Sequence, residues 1–150
     1  MNVILTVGNS MMGDDGAGPL LAELMTKTPV ENWMVIDGGS MPENVSHEVE
    51  TLSAQRVVVV DAADMGLTPG EVRLIDDASI ADLFIMTTHN LPLSFLIERL
   101  REMVPEVLFL GIQPDIVAFH FPMTDSVRLA VETVHSNLCA GVDPREYAWL

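Results

Sequence analysis

Positive charge is what this sequence has least of. One lysine, Lys27, and six arginines spread between Arg56 and Arg145 face 22 acidic residues in a chain of 150, for a formal charge of −15. Neutralising a nucleic-acid backbone takes clustered Lys and Arg, so a nucleic-acid partner is excluded. An anionic membrane surface is disfavoured by the same shortage. Cysteine is nearly absent too: the single thiol, Cys139, cannot close an internal disulfide and fits a reducing compartment, so the expected location is cytoplasmic. Its place near the end of the last helical pattern reads as that of a small buried hydrophobe with no base beside it. No apolar run approaches the ~18 to 20 residues of a membrane span. MNVILTVGNS has no basic stretch ahead of its apolar run, so Met1 is expected to begin the fold directly. Repeats, low-complexity tracts and Ser/Gly linkers are missing, and Gly and Pro fall singly between apolar runs. Residues 1–150 are therefore expected to form a single domain, and a monomer.

What is present is enough to build a core. Apolar residues make up 49% of the chain and charged residues 19%, a balance that separates it from disordered acidic segments. Four apolar runs, 3–7, 33–36, 57–60 and 107–112, read as strands. The run Val57, Val58, Val59, Val60 has no polar alternation, as expected of a strand in a parallel sheet covered on both faces. Residues 71–75 do alternate, and after the turn signal Thr68-Pro69-Gly70 they read as an edge strand or hairpin arm. Helical stripes lie between: Val127, Ala130, Val131, Val134 and Leu138 with Thr124 or Asp125 as N-cap, and Leu93, Leu96, Leu100 and Met103 after Pro92. Weaker helical patterns cover 20–27 and 43–52. The alternation predicts an α/β fold: a doubly wound sandwich of about five strands, mostly parallel with one antiparallel edge strand, helices on both faces.

In such a sheet, ligands bind beyond the carboxyl ends of the strands. Those ends run into Gly8-Asn9-Ser10-Met11-Met12-Gly13-Asp14-Asp15-Gly16, Asp37-Gly38-Gly39 and Asp61, so acids and glycines collect on one rim. The spacing Gly8-xxxx-Gly13 mimics a phosphate-binding P-loop, but Asp14 and Asp15 stand where Lys and Ser/Thr would be, and two carboxylates repel a polyphosphate. A GxGxxG fingerprint is absent. The loop suits a cation, or it is a tight turn in which Asp14 or Asp15 caps the next helix. Asp37 and Asp61 each follow an apolar strand read as buried, where a charge is costly unless paired or metal-bound. The structural alternative for Asp61 is capping of the turn amides of residues 62–66.

His89, in Thr87-Thr88-His89-Asn90 before the helix near Pro92, is the histidine placed to reach the rim. His47 lacks the second histidine of a zinc-protease helix and reads as a solvated face; His120 and His135 read as packing or surface residues. No G-x-S-x-G elbow is present. Aspartates plus a histidine make a mixed oxygen and nitrogen set for a divalent borderline ion, so a cation site of Asp15, Asp61 and His89, with Asp37 nearby, is expected. Met11, Met12, Met41, Met65 and Met86, five of ten methionines, fall in or beside the rim loops, where flexible thioethers suit an irregular peptide as well as they fill core gaps.

The ordered set of Gly8 to Gly16, Asp37-Gly38-Gly39-Ser40, Val60-Asp61-Ala62, Thr87-Thr88-His89-Asn90 and Gly111-Ile112-Gln113-Pro114 resembles the nickel-iron hydrogenase maturation endopeptidases. Its nearest match is the hydrogenase 3 type, which processes the large subunit of the formate hydrogenlyase hydrogenase. The resemblance implies a hydrolase of the aspartic, metal-recognising kind that removes a C-terminal peptide from a hydrogenase large-subunit precursor after nickel insertion. Cleavage would fall beyond a His or Arg that follows the last cysteine motif. Nickel supplied by the precursor would contact Asp15, Asp61 and His89, which are then both the metal-contacting and the catalytic set. Asn9, Asp37, Gly38 and Gly39 would bind substrate. Many relatives carry Glu where this chain has Asp15, which leaves metal preference open, and residues 141–150 match no part of the pattern. A non-proteolytic nickel chaperone and a metal-dependent small-molecule hydrolase are the competing readings.

Overall fold

The computed structural model describes residues 1–40, 45–82 and 93–150. Five strands form one sheet: β1 (Asn2–Thr6), β2 (Trp33–Asp37), β3 (Arg56–Ala62), β4 (Val72–Leu74) and β5 (Glu106–Ile112), in the order β2-β1-β3-β5-β4. All neighbours are parallel except β4, which runs antiparallel to β5 at the edge. The expected architecture is the observed one. Every residue of β3 is buried, as its unbroken apolar run predicts for a central strand.

Among the described residues, five helices cover the sheet: α1 (Ala17–Lys27), α2 (Ser46–Thr51), α3 (Asp77–Asp82), α4 (Leu93–Met103) and α5 (Asp125–Cys139). Side chains alternate across a strand, so the core divides in two. Val3, Leu5, Val57, Val59, Val107 and Phe109 pack with Val49 of α2 and with Leu96, Ile97 and Leu100 of α4. Ile4, Val58, Val60, Leu110 and Ile112 pack on the other face against Leu21 and Met25 of α1 and the stripe Val127, Ala130, Val131, Val134 and Leu138 of α5. Each fully buried Val or Leu contributes about 1.5–3 kcal/mol, which makes this stripe the reason α5 exists where it does. Thr124 is the N-cap of α5, yet its side chain makes no capping bond to the helix.

Two expectations are corrected at the edges. Residues 33–36 do not form a buried strand: β2 is the sheet edge, with Met34 exposed and only Ile36 buried. The C-terminal segment, for which the sequence indicates no role, is part of the fold. Leu74 N–H donates to the Ala148 carbonyl at 2.8 Å and Leu150 N–H to the Leu74 carbonyl at 2.9 Å, so residues 148–150 cover the outer edge of β4, which would otherwise stay open to strand pairing. Arg56 reaches Asp143 at 2.7 Å and Arg145 reaches Glu106 at 2.6 Å, which ties the segment to the amino ends of β3 and β5.

Candidate active site

From β1 the chain winds outward to β2, then returns to the other side of β1 for β3. The crevice between the carboxyl ends of β1 and β3 is therefore the topological switch point, the preferred ligand position in sheets of this kind. Asp61 stands on one side of it, the loop 8–16 on the other.

That loop is folded by close backbone contacts. Gly8 has φ +147°, and a Cβ there would come within 2.1 Å of the Asp15 carbonyl oxygen. At Gly13, φ is +60° and a Cβ would meet the Ile116 carbonyl at 2.5 Å. Both positions exclude a side chain on steric grounds, so the P-loop-like spacing reflects backbone packing. Residues Gly13–Gly16 form a 3-10 turn that lies against β3.

The two consecutive carboxylates within this turn do different things. Asp14 is fully buried. Its Oδ2 accepts from the amides of Asp115 at 2.9 Å and Ile116 at 3.1 Å and from Thr124 Oγ1 at 2.8 Å, while Oδ1 accepts from the Thr124 amide at 2.7 Å. It clamps both ends of the loop 113–124, a part of the chain a hundred residues away, and its carboxylate bonds go there instead of to the first turn of α1. Asp15, 3% exposed, accepts from the Asn9 amide at 2.9 Å through Oδ2. Asn9 Oδ1 in turn accepts from the Met11 amide at 2.9 Å, so Asn9 orients the Asp15 carboxylate from within the same loop.

Asp61 is fully buried in the last part of β3, paired in register with Gly111. By strand alternation it shares the sheet face of Val57 and Val59, the face that α4 covers. Of the turn amides 62–66, the structural alternative for Asp61, three have these acceptors: Ala63 donates to the Ile112 carbonyl, Met65 to Gln113 Oε1 at 2.6 Å, and Gly66 to Asp64. Gln113 is the residue that holds this loop. It is buried, its Oε1 also accepts from Leu67, and its Nε2 donates to Asp64 Oδ1 at 3.1 Å. Neither Gln113 nor the clamping role of Asp14 is evident from sequence spacing; the available hint is a polar residue directly after a buried strand.

The Asp37 expectation changes. Asp37 is exposed at the end of the edge strand, and its Oδ1 accepts from the Gly39 amide at 3.0 Å and Thr6 Oγ1 at 3.5 Å. Register places Thr6 beside both Asp37 and Val60, so Asp37 lies on the α1/α5 face of the sheet, opposite Asp61. It braces the turn Gly38-Gly39, whose Gly39 carbonyl accepts from Gly8 N–H at 2.9 Å. The Asp37 to Gly39 turn thus joins the rim beside the loop 8–16.

His89, with Met41 and Met86, lies outside the described residues. Among those described, no group of three or more His, Cys, Asp or Glu is arranged to hold a metal ion; two of the three expected contacts, Asp15 and Asp61, are at the switch point. Met65 is core, while Met11 is exposed. Cys139 is exposed, contrary to expectation, and has a base beside it: His135 Nε2 lies 3.6 Å from its sulfur. The pair sits on the last turns of α5. No helix among the described residues is long and apolar enough to cross a membrane.

Comparison with known proteins agrees with this fold. The family model of the hydrogenase maturation proteases matches residues 19–140. The hydrogenase 3 maturation protease of Escherichia coli strain K12 is 59% identical over 137 residues, covering 91% of this chain and 88% of that protein. The solution structure of the endopeptidase HycI from Escherichia coli superposes with a TM-score of 0.92 at 55% identity over 100% of this chain and 96% of that one. A [NiFe] hydrogenase maturation protease from Thermococcus kodakarensis gives a TM-score of 0.81 at 25% identity over 94% of this chain and 91% of that one. The chain belongs to the hydrogenase maturation protease family and is a peptide-bond hydrolase of hydrogenase maturation.

Proposed function

We propose that the protein removes the C-terminal peptide of a nickel-iron hydrogenase large-subunit precursor after nickel insertion, with the precursor's own nickel as the recognition element. The observation that carries this reading is the placement of two buried carboxylates, Asp15 and Asp61, on either side of the switch point. Away from bulk water, charges attract a cation more strongly than surface acids do, and rigid supports hold both groups: the glycine-packed loop and a central strand. Oxygen donors joined by the His89 imidazole suit nickel. The metal arrives as part of the substrate and docks the precursor so that its scissile bond is positioned. Asn9 orients Asp15, while Asp37, Gly38 and Gly39 line the rim along which the peptide lies. In this scheme the aspartates are the catalytic acids of an aspartic-type, metal-recognising endopeptidase acting in the cytoplasm as a monomer.

Mass spectrometry of the precursor before and after incubation tests the proposal. Nickel-loaded precursor should lose its C-terminal peptide and nickel-free precursor should not; equal cleavage of both would overturn nickel recognition. Binding without any mass change would favour a chaperone. Asp15→Ala, Asp61→Ala and His89→Ala should each abolish processing while circular dichroism stays native, and full activity in these variants would remove the site.

A further inference from the structure

The loop 113–124 presents an unusual surface. Ile116, Val117, Phe119 and Phe121 are exposed, the two phenylalanines by more than half, and Met11 of the neighbouring loop is 52% exposed. Exposed apolar groups of this size gathered on one loop mark an interaction surface more often than a packing accident. The loop is also held rigidly. Asp14 binds it at 115–116 and at 124, the Asp14 amide donates to the Ile116 carbonyl at 2.8 Å, and the His120 amide donates to the Met11 carbonyl at 2.9 Å. His120, whose ring centroid lies 3.9 Å from that of Phe119, is kept at φ +67°, in the left-handed region. A backbone fixed at such cost while its side chains face water is organised for something outside the chain.

The charge around it selects the occupant. The loops 8–16, 38–40, 63–70 and 113–124 contain no Lys or Arg, yet carry Asp14, Asp15, Asp64 and Asp115, with Asp37 and Asp61 at the strand ends. The flanking arginines, Arg73 and Arg128, are each paired with an acid, Glu71 and Asp125. Arg56 and Arg145 lie at the opposite, amino end of the sheet. The rim is therefore apolar and anionic, complementary to a chain that is apolar and cationic.

We propose that Phe119 and Phe121, with Ile116, Val117 and Met11, form the docking surface for an apolar, positively charged segment of the precursor's C-terminal extension. This rests on the protease reading above and specifies its partner chemistry. Asp14 is the positioning residue for that surface. By fixing the loop it also fixes the distance from the docked segment to Asp15, its neighbour in the chain.

The test uses the full-length protein and the nickel-loaded precursor. Affinity is read by biolayer interferometry and processing by separate KM and kcat values. Phe119→Ser/Phe121→Ser should weaken binding and raise KM about tenfold or more while kcat stays near wild type; Phe119→Leu/Phe121→Leu should restore both. Asp115→Lys should also raise KM, with the effect fading at high salt. Unchanged affinity in the serine double variant would overturn the inference, as would a wild-type dimer that the same variant disperses in sedimentation, since the surface would then be occupied by a second copy. A wild-type protein that binds the precursor through these residues but does not cut it would sink the protease reading and leave the docking surface standing.

Discussion

Replacing Asp14 offers the most direct measure of how the rim is held together. The carboxylate is fully buried and receives four hydrogen bonds, three from amides and one from Thr124 Oγ1. In Asp14→Ala those donors lose their acceptor. Each buried donor left unsatisfied costs about 1–3 kcal/mol, but the vacated carboxylate volume admits a water that recovers part of this. The net loss is about 3–5 kcal/mol, a large share of the roughly 5–15 kcal/mol that holds a domain folded. For a chain of this size that lowers Tm by about 10 °C. Asp14→Asn keeps the volume and one oxygen. Its best orientation leaves that oxygen at the Oδ2 position and turns an NH2 toward the Thr124 amide, so one bond and the charge are lost, at about 2 kcal/mol. Urea unfolding measures both. Native-state hydrogen exchange locates them, with protection lost first at Asp115, Ile116 and Thr124. Asp125→Ala, which loses a surface ion pair with Arg128, is the control. Should Asp14→Ala match that control, or should the Thr124 amide stay protected, the clamp described here is wrong.

Two further perturbations probe the supports of the site. Gln113→Leu leaves the Met65 and Leu67 amides without their acceptor, so it should cost about 1–3 kcal/mol, speed exchange at Met65 and lower kcat by loosening the loop that follows Asp61. At the other end of the sheet, burial tends to raise the pKa of Asp143, but the Arg145 amide, the Arg56 guanidinium and both positive charges outweigh it and hold the carboxyl below its ordinary value. A depressed carboxylate stabilises the fold fully above its unfolded pKa of about 3.9 and loses that contribution as pH falls through its lower folded value. The difference in urea midpoint between wild type and Asp143→Ala should therefore be present at neutral pH and shrink below about pH 4.

Much of the fold is legible in residue order. The unbroken valines of β3, the helical stripe of α5 and the alternation in residues 71–75 each state their own burial, because side-chain period and solvent exposure are linked within a few residues. α3 and the strand-like contact of residues 148–150 are not legible: α3 is a six-residue element too short to show a period, and the tail is ordered by pairing with β4, seventy residues earlier.

The site divides in the same way. By itself, the sequence determined which residues could carry the chemistry: a glycine-bounded acidic loop, an aspartate after a central strand, and a rim on which acids and glycines collect. Only the tertiary structure decided how Asp14, Asp15, Asp37 and Asp61 differ. Register puts Asp37 in the row of Thr6 and Val60 and Asp61 in the next row, so one step along a strand sends the two side chains to opposite faces. Between Asp14 and Asp15, the turn of the 3-10 backbone gives one carboxylate to the amides of a distant loop and the other to Asn9 at the switch point. A carboxylate's role is set by the donors that surround it, and donors a hundred residues away are brought near only by the fold.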